Sequence, residues 1–314
     1  MTPSRNSIGA TAGMGQRLER AEGLLAKLPG DLKTRIFSAL VLGPPVLVAV
    51  WLGGIVFQLV LVAVAVIAGL EWLRLVVPGR QPWATTMGLM TILVTLSGEF
   101  VAGPLYGLVL LAAQTALLWW AAAGGHPRAL EAVDAEANGG AGAGRLPAPI
   151  LFALIVPYVG GGCLALDWIR NRAGPDAPWL FLFLLLAIWA TDIGAYAAGR
   201  TIGGPKLAPR ISPKKTWAGL LGGMAAAALV GLALSPLATV SSPGACALVA
   251  AVIAVVGQAG DLFESYMKRR CDVKDSGSLI PGHGGLLDRI DGLVMAAPVF
   301  ALFHALIGEN GSWW

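Results

Sequence analysis

Residues 265–291 read SYMKRRCDVKDSGSLIPGHGGLLDRID, and this stretch holds four Asp, five Lys or Arg and one His in twenty-seven positions. It lies between two long apolar runs, at about 243–260 and 289–308. The plain reading is a charged loop joining two helices. Ionisable groups this dense beside membrane-spanning segments are costly, and they mark a functional site by default. The flanking runs therefore predict two spanning helices with a polar site held between them at the membrane surface.

The rest of the chain agrees. Hydrophobic residues make up 56% of the 314 residues and charged residues 13%, against roughly 25% charged in a soluble domain. The composition excludes an ordinary soluble enzyme and predicts an all-α polytopic integral membrane protein. Each crossing needs ~20 mostly apolar residues. Nine such segments are legible, at about 36–53, 55–77, 84–101, 103–123, 148–169, 178–200, 217–237, 243–260 and 289–308.

Four regions follow. Residues 1–35 are polar and carry no evident signal peptide. Within them Leu18, Ala21, Leu25 and Leu28 share one helical face, which suits an interfacial helix or a frayed leader equally. Residues 36–123 hold the first four spans. Residues 124–147, GGHPRALEAVDAEANGGAGAGRLP, are Gly/Ala-rich and polar, as a flexible linker would be. Residues 148–314 hold the remaining spans and the polar stretch. Three cysteines, Cys163, Cys246 and Cys271, give neither a disulfide framework nor a zinc pattern.

Lys and Arg set the orientation. With a cytoplasmic N-terminus, all of the 22 basic residues except Arg170 and Arg172 fall in the N-terminal segment or in loops on the cytoplasmic side. That places the site at the cytoplasmic face. A net charge of +4 is modest and gives no reason to expect a nucleic-acid partner.

Three constellations carry the chemistry. If the helix before the polar stretch continues, Asp261, Ser265 and Lys268 share a face at i, i+4, i+7. Asp288 and Asp291, three apart, share another at the start of the last span. Together they predict an oxygen-rich pocket suited to Mg²⁺ with a substrate phosphate. Asp275, Arg269, Lys274 and Arg289 add charge around it. Gly282, Gly284 and Gly285 flank His283 and permit close backbone approach to a phosphate. His283 itself reads as a phosphate donor or a structural histidine with equal weight. The second constellation is RTIGGPKLAPRISPKKTW, residues 200–217. Here Ser212-Pro213 reads as the N-cap and first residue of the seventh span. Lys214 and Lys215 then sit on an electropositive helix start, a poor arrangement unless an anion binds there. The third is Asp192 in WATDIGAYAAGR, roughly 12 Å along the helix from Arg200. An internal pair with an Arg is its structural alternative. Glu71 is a weaker candidate for the same pocket, and Glu99 reads as an interfacial charge.

The ordered series Ser265, Lys268-Arg269, Lys274-Asp275, Pro281, His283-Gly284-Gly285, Asp288-Arg289 and Asp291 resembles the signature of the phosphatidate cytidylyltransferases, also called CDP-diacylglycerol synthases. Asp192 to Tyr196 resembles that family's Asp-x-Gly-Ala-Tyr run. Ser212 to Trp217 resembles its Ser-Pro-Lys-Lys-Thr-Trp-Glu-Gly run, except that Ala218 stands where the acidic residue is usual. A carboxylate there is missing or is supplied elsewhere, with Glu264 as a substitute.

The resemblance implies transfer of CMP from CTP to phosphatidic acid, with Mg²⁺ held at Asp261 and Asp288 and a second cation left open. It implies a catalytic set of Asp261, Asp288, Lys268 and His283. Ser212, Lys214, Lys215, Arg269, Lys274, Arg289, Gly284 and Gly285 would face substrate phosphates, and Asp192, Asp275 and Asp291 would support nucleotide or metal. It further implies a homodimer among membrane lipids in a bacterial inner membrane. The alternatives are a CTP-dependent polyprenol or dolichol kinase and an ion-coupled transporter. The paired broken helices or repeats of a transporter are not evident in the sequence.

Overall fold

The computed structural model describes residues 43–77, 82–125, 147–236, 242–271, 273, 275–277 and 284–307. A short apolar helix, α1 (Gly43–Leu52), leads into α2 (Gly54–Val76), α3 (Pro82–Ala102) and α4 (Pro104–Trp120). A π-helical turn, Ala121–Gly125, extends α4. The next crossing is composite. It runs from α5 (Ala148–Ala153) through a π turn at Val156–Gly160 into α6 (Gly161–Asn171). Then come α7 (Ala177–Thr201), α8 (Trp217–Leu234), α9 (Pro243–Arg270) and α10 (Leu287–Ile307).

Among the described residues, eight helices are long and apolar enough to cross a membrane. The first expected span, 36–53, is represented by α1, and residues 36–42 lie outside the described part. All of the N-terminal segment 1–35 and most of the 124–147 linker lie outside it too.

The expected boundaries hold within a few residues except at α9. That helix runs 28 residues to Arg270, about 42 Å at 1.5 Å per residue. The hydrocarbon core is about 30 Å thick. A span of about 20 residues from Pro243 fills that thickness, so the last turns of the helix, which carry Glu264 to Arg270, extend past it on continuous helix.

The expected helix start at Ser212-Pro213 is overturned. Residues between α7 and α8 form a two-stranded antiparallel hairpin, β1 (Lys206–Ala208) and β2 (Ser212–Thr216). Ser212-Pro213 is thus strand, not a helix start. Helix α8 begins at Trp217, and its N-cap is Thr216, whose side chain accepts from the Gly219 N–H at 3.0 Å. Ser-Pro and Thr-Trp both fit the first turn of a helix on local rules. Pairing with β1 selects the later one, and Pro213 is tolerated because edge strands accept proline.

Two apolar clusters make the interior. One gathers Trp72, Ile92, Leu96, Phe152 and Ile155 from α2, α3 and the composite crossing. Within it the Trp72 Nε1–H donates to the Leu151 carbonyl at 3.0 Å. The other joins Phe57, Ile169, Phe183, Ile253 and Phe300 from α2, α6, α7, α9 and α10.

The two basic residues outside the positive-inside pattern both have protein partners. Arg170 is 8% exposed and donates to the Val50 and Trp51 carbonyls at the end of α1. Its guanidinium lies where a Cβ on Gly53 would be, 2.6 Å away, and Gly53 takes φ 64° to break α1 from α2. Arg172 pairs with Glu99 (Nε to Oε1 3.2 Å) and donates to the Glu99 carbonyl at 3.0 Å. Glu99 is fully buried. It is an internal ion-pair partner, not the interfacial charge the sequence suggested, because α6 ends beside it.

Helices α7 and α8 meet through backbone. A Cβ on Gly194 would lie 2.5 Å from the Gly222 carbonyl oxygen and 2.6 Å from the Ala226 Cβ. Small residues permit such close approach of membrane helices. Replacing Gly194 with Val should force them apart at a cost of about 1–3 kcal/mol. A fall in the thermal unfolding midpoint of the detergent-solubilised protein is the expected result. An unchanged midpoint would show that this contact does not hold α7 to α8.

Candidate active site

Three elements converge on the polar stretch: strand β2, the end of α9 and the start of α10. Lys215 projects from β2 onto α9. Its Nζ pairs with Asp261 Oδ2 at 2.8 Å and donates to the Gln258 carbonyl at 3.4 Å. Ser265, one turn on, donates to Asp261 Oδ1 at 3.3 Å, so the predicted shared face of α9 is present. Lys268 bridges two helices. Its Nζ lies 2.8 Å from Glu264 Oε2 on its own helix and 2.8 Å from Asp288 Oδ1 on α10. Glu264, weighed as the substitute for the acid missing at Ala218, is nearly fully buried in this bridge.

Asp288 also accepts from backbone. The Ser276 N–H lies 3.1 Å from Oδ2 and the Gly285 N–H 2.9 Å from it. The N–H of Gly285 is therefore directed to a protein carboxylate. Gly284, at φ 83°, lies close enough that a Cβ there would be 3.0 Å from Asp288 Oδ2.

Two adjoining cavities open on these residues. The first, about 520 Å³, is lined by Asp192, Tyr196, Arg200, Lys214, Lys215 and Asp261 among others. The second, about 630 Å³, is lined on its polar side by Asp192, Asp261, Lys268, Asp275, Asp288, Arg289 and Asp291 among others. Asp192 and Asp261 belong to both, so they form the wall where the cavities meet. The first cavity is basic on its hairpin side; the second is predominantly acidic. Arg200 donates to the Tyr196 hydroxyl at 2.9 Å, which holds the guanidinium at the first cavity.

Of the expected site residues, the structure brings together Asp192, Lys214, Lys215, Asp261, Lys268, Asp275, Asp288, Arg289 and Asp291. Ser212 and Arg269 line neither cavity. Lys274 and His283 lie outside the described residues. Arg200, Tyr196 and Gln258 border the first cavity and were not singled out as site residues. The i, i+4 spacing of Tyr196 and Arg200 was the available signal. Ser276, within the polar stretch, is only 4% exposed. Cys271 closes the end of α9 against α2, with its thiol donating to the Leu75 carbonyl at 2.6 Å. Burial raises its pKa despite nearby Arg270.

The donor chemistry suits a hard divalent cation, because every acidic ligand on offer is a carboxylate oxygen. Among the described residues, no three His, Cys, Asp or Glu side chains form a ready-made ligand set. The two expected ligands, Asp261 and Asp288, are instead each neutralised by an ammonium group, from Lys215 and Lys268 respectively. Two protein carboxylates leave coordination positions for water and substrate phosphates, the pattern Mg²⁺ favours.

Comparison with known proteins gives a consistent result. The model of the cytidylyltransferase family matches residues 33–307. A phosphatidate cytidylyltransferase of Brucella suis biovar 1 (strain 1330) is 38% identical over 282 residues, covering 89% of this chain and 95% of the relative. A protein of the same name from Pseudomonas aeruginosa is 37% identical over 273 residues, 86% of this chain and 96% of its own. Another from Haemophilus influenzae is 35% identical over 294 residues, 88% and 99% respectively.

The Lys268 bridge makes a direct prediction. Glu264 and Asp288 side chains are 2% and 7% exposed, and removing one partner of a buried ion pair costs about 3–5 kcal/mol. Lys268→Met should lower stability by that order in chemical denaturation, and adding Glu264→Gln should recover part of the loss. A single variant as stable as the parent would show that the bridge does not join α9 to α10.

Proposed function

Because this chain belongs to the cytidylyltransferase family, we infer that it is a phosphatidate cytidylyltransferase, transferring CMP from CTP to phosphatidate to give CDP-diacylglycerol and pyrophosphate. The observation that carries the reading beyond family membership is the pair of cavities joined at Asp192 and Asp261, one basic and one acidic. Such a site can bring two phosphate-bearing substrates to one point.

In the reaction, a phosphate oxygen of the lipid attacks the α-phosphorus of CTP. A new P–O bond forms, the bond to the β-phosphate bridge breaks, and the electron pair leaves with pyrophosphate. Reactions of this type need positioning and charge neutralisation more than a covalent intermediate. Lys214, Lys215 and Arg200 supply positive charge to anionic groups in the first cavity. Lys268 stands at the second, held between Glu264 and Asp288. Asp261 and Asp288 would hold Mg²⁺, and Lys215 and Lys268 stand beside these carboxylates as positive charge. The bound ion supplies charge neutralisation at the reacting phosphates.

The site faces the cytoplasm of a bacterial inner membrane in this reading. The basic residues around the hairpin and after α9 support it. A homodimer belongs to the same reading through family resemblance.

Purified protein in mixed micelles should release pyrophosphate from CTP only when phosphatidate and Mg²⁺ are both present. Asp261→Asn should depress the rate at limiting Mg²⁺ by about 100-fold. Release of CDP with a polyprenol, and no pyrophosphate with phosphatidate, would assign a kinase instead. A wild-type rate for Asp261→Asn at limiting Mg²⁺ would remove that residue from the metal site.

Orientation has its own test. Arg210 is exposed in the hairpin turn, while Cys163 and Cys246 are buried. Arg210→Cys in a Cys271→Ser background should react with an impermeant thiol reagent in inverted membrane vesicles and not in sealed cells. Labelling of sealed cells would reverse the topology.

A further inference from the structure

Glu71, on α2, is the most heavily bonded carboxylate of the site region that the transfer reaction does not use. It is 2% exposed. Its Oε1 accepts from the Leu286 N–H at 3.0 Å, and its Oε2 accepts from the Leu287 N–H at 2.7 Å and the Ser276 hydroxyl at 3.1 Å. The contact to Leu287 joins residues 216 positions apart in the chain. Leu287 begins α10, so Glu71 satisfies N–H groups that the first turn of a helix leaves without intrahelical partners. A negative charge is favoured at that end of a helix.

The backbone around the carboxylate is shaped to admit it. A Cβ on Gly277 would lie 2.5 Å from Glu71 Oε1, and a Cβ on Gly285 would lie 2.7 Å from Oε2 and collide with the Ser276 hydroxyl. Both glycines therefore serve close approach of a side chain from a distant helix. Ser276 is gripped twice, by Glu71 through its hydroxyl and by Asp288 through its N–H. The residue after Leu287 is Asp288 itself.

We propose that Glu71 is a positioning residue for the transferase: it clamps Ser276 and the first turn of α10, and thereby fixes the Asp288 carboxylate at the second cavity. The proposal rests on the reading of Asp288 as part of the site. Glu71 touches neither cavity, so it acts through the loop and not on substrate. A carboxylate is required because all three partners are donors. A glutamine in its place would present an NH₂ to one of them, leaving a donor facing a donor in a buried site.

The test compares Glu71→Gln, Gly277→Ala and the double variant in the full-length protein. Small displacements of catalytic groups cost about 100-fold in rate. Glu71→Gln should lower kcat by about that factor, with KM for CTP changed less than about threefold, at a temperature well below its unfolding midpoint. Gly277→Ala should reproduce the kcat loss with Glu71 intact, and the double variant should be little worse than either, since the two act through one contact. Amide exchange at residues 284–287 should accelerate in each variant. A kcat equal to wild type in folded Glu71→Gln, or losses that multiply in the double variant, would overturn the proposal. If wild-type protein releases no pyrophosphate with phosphatidate, the functional reading fails separately, and exchange then decides the clamp: unchanged protection at 284–287 in Glu71→Gln overturns it, and lost protection supports it.

Discussion

Backbone N–H groups at the membrane face need acceptors, and between α9 and α10 two carboxylates supply them. Glu71 takes the N–H groups of Leu286 and Leu287, and Asp288 takes those of Ser276 and Gly285. An unmade hydrogen bond in a buried place costs about 1–3 kcal/mol, so residues 276 and 285–287 are held where these carboxylates accept from them. The position of Asp288 and of α10 as a whole depends on this arrangement. Lys268 then couples that arrangement to α9, and Lys215 couples α9 to the hairpin. The site is a chain of charge-assisted contacts running from α2 through the loop to β2.

The same economy of charge governs the other polar groups. Arg170 and Arg172 are placed against carbonyls and Glu99, where they fasten α1 and α3 to the end of α6. Asp167 belongs to the same region, accepting from Asn171 at 2.6 Å and from Gln58 at 3.4 Å. Charged groups within spanning helices are retained where partners or water-accessible cavities meet them. Here one group of them joins helices and the other lines the two cavities.

Function follows from where the long helix ends. Because α9 continues past the thickness of the hydrocarbon, its polar face is presented at the interface on rigid backbone. Sites on regular elements hold their geometry better than sites on loops. The hairpin lays Lys214 and Lys215 over that face, and α10 brings Asp288 and Asp291 from the other side. An anionic lipid headgroup and a nucleoside triphosphate can meet only at such an interface.

Composition and hydropathy alone were enough to establish the membrane class, and apolar periodicity was enough to place most of the crossings to within a few residues. The polar stretch at 265–291 pointed to the candidate site because no other part of the chain gathers so many ionisable residues. Helical spacing was sufficient to put Asp261 and Ser265 on one face, since i, i+4 neighbours need no distant partner. The hairpin was not legible: Ser212-Pro213 and Thr216-Trp217 satisfy the same local rules, and only pairing with residues 206–208 distinguishes them. Nor were the roles of Glu71 and Glu99, each of which depends on a partner more than 70 residues away in sequence. Hydrophobic pattern is a local property and can be read along the chain, whereas the partner of a buried charge is chosen by three-dimensional proximity and belongs to the tertiary structure.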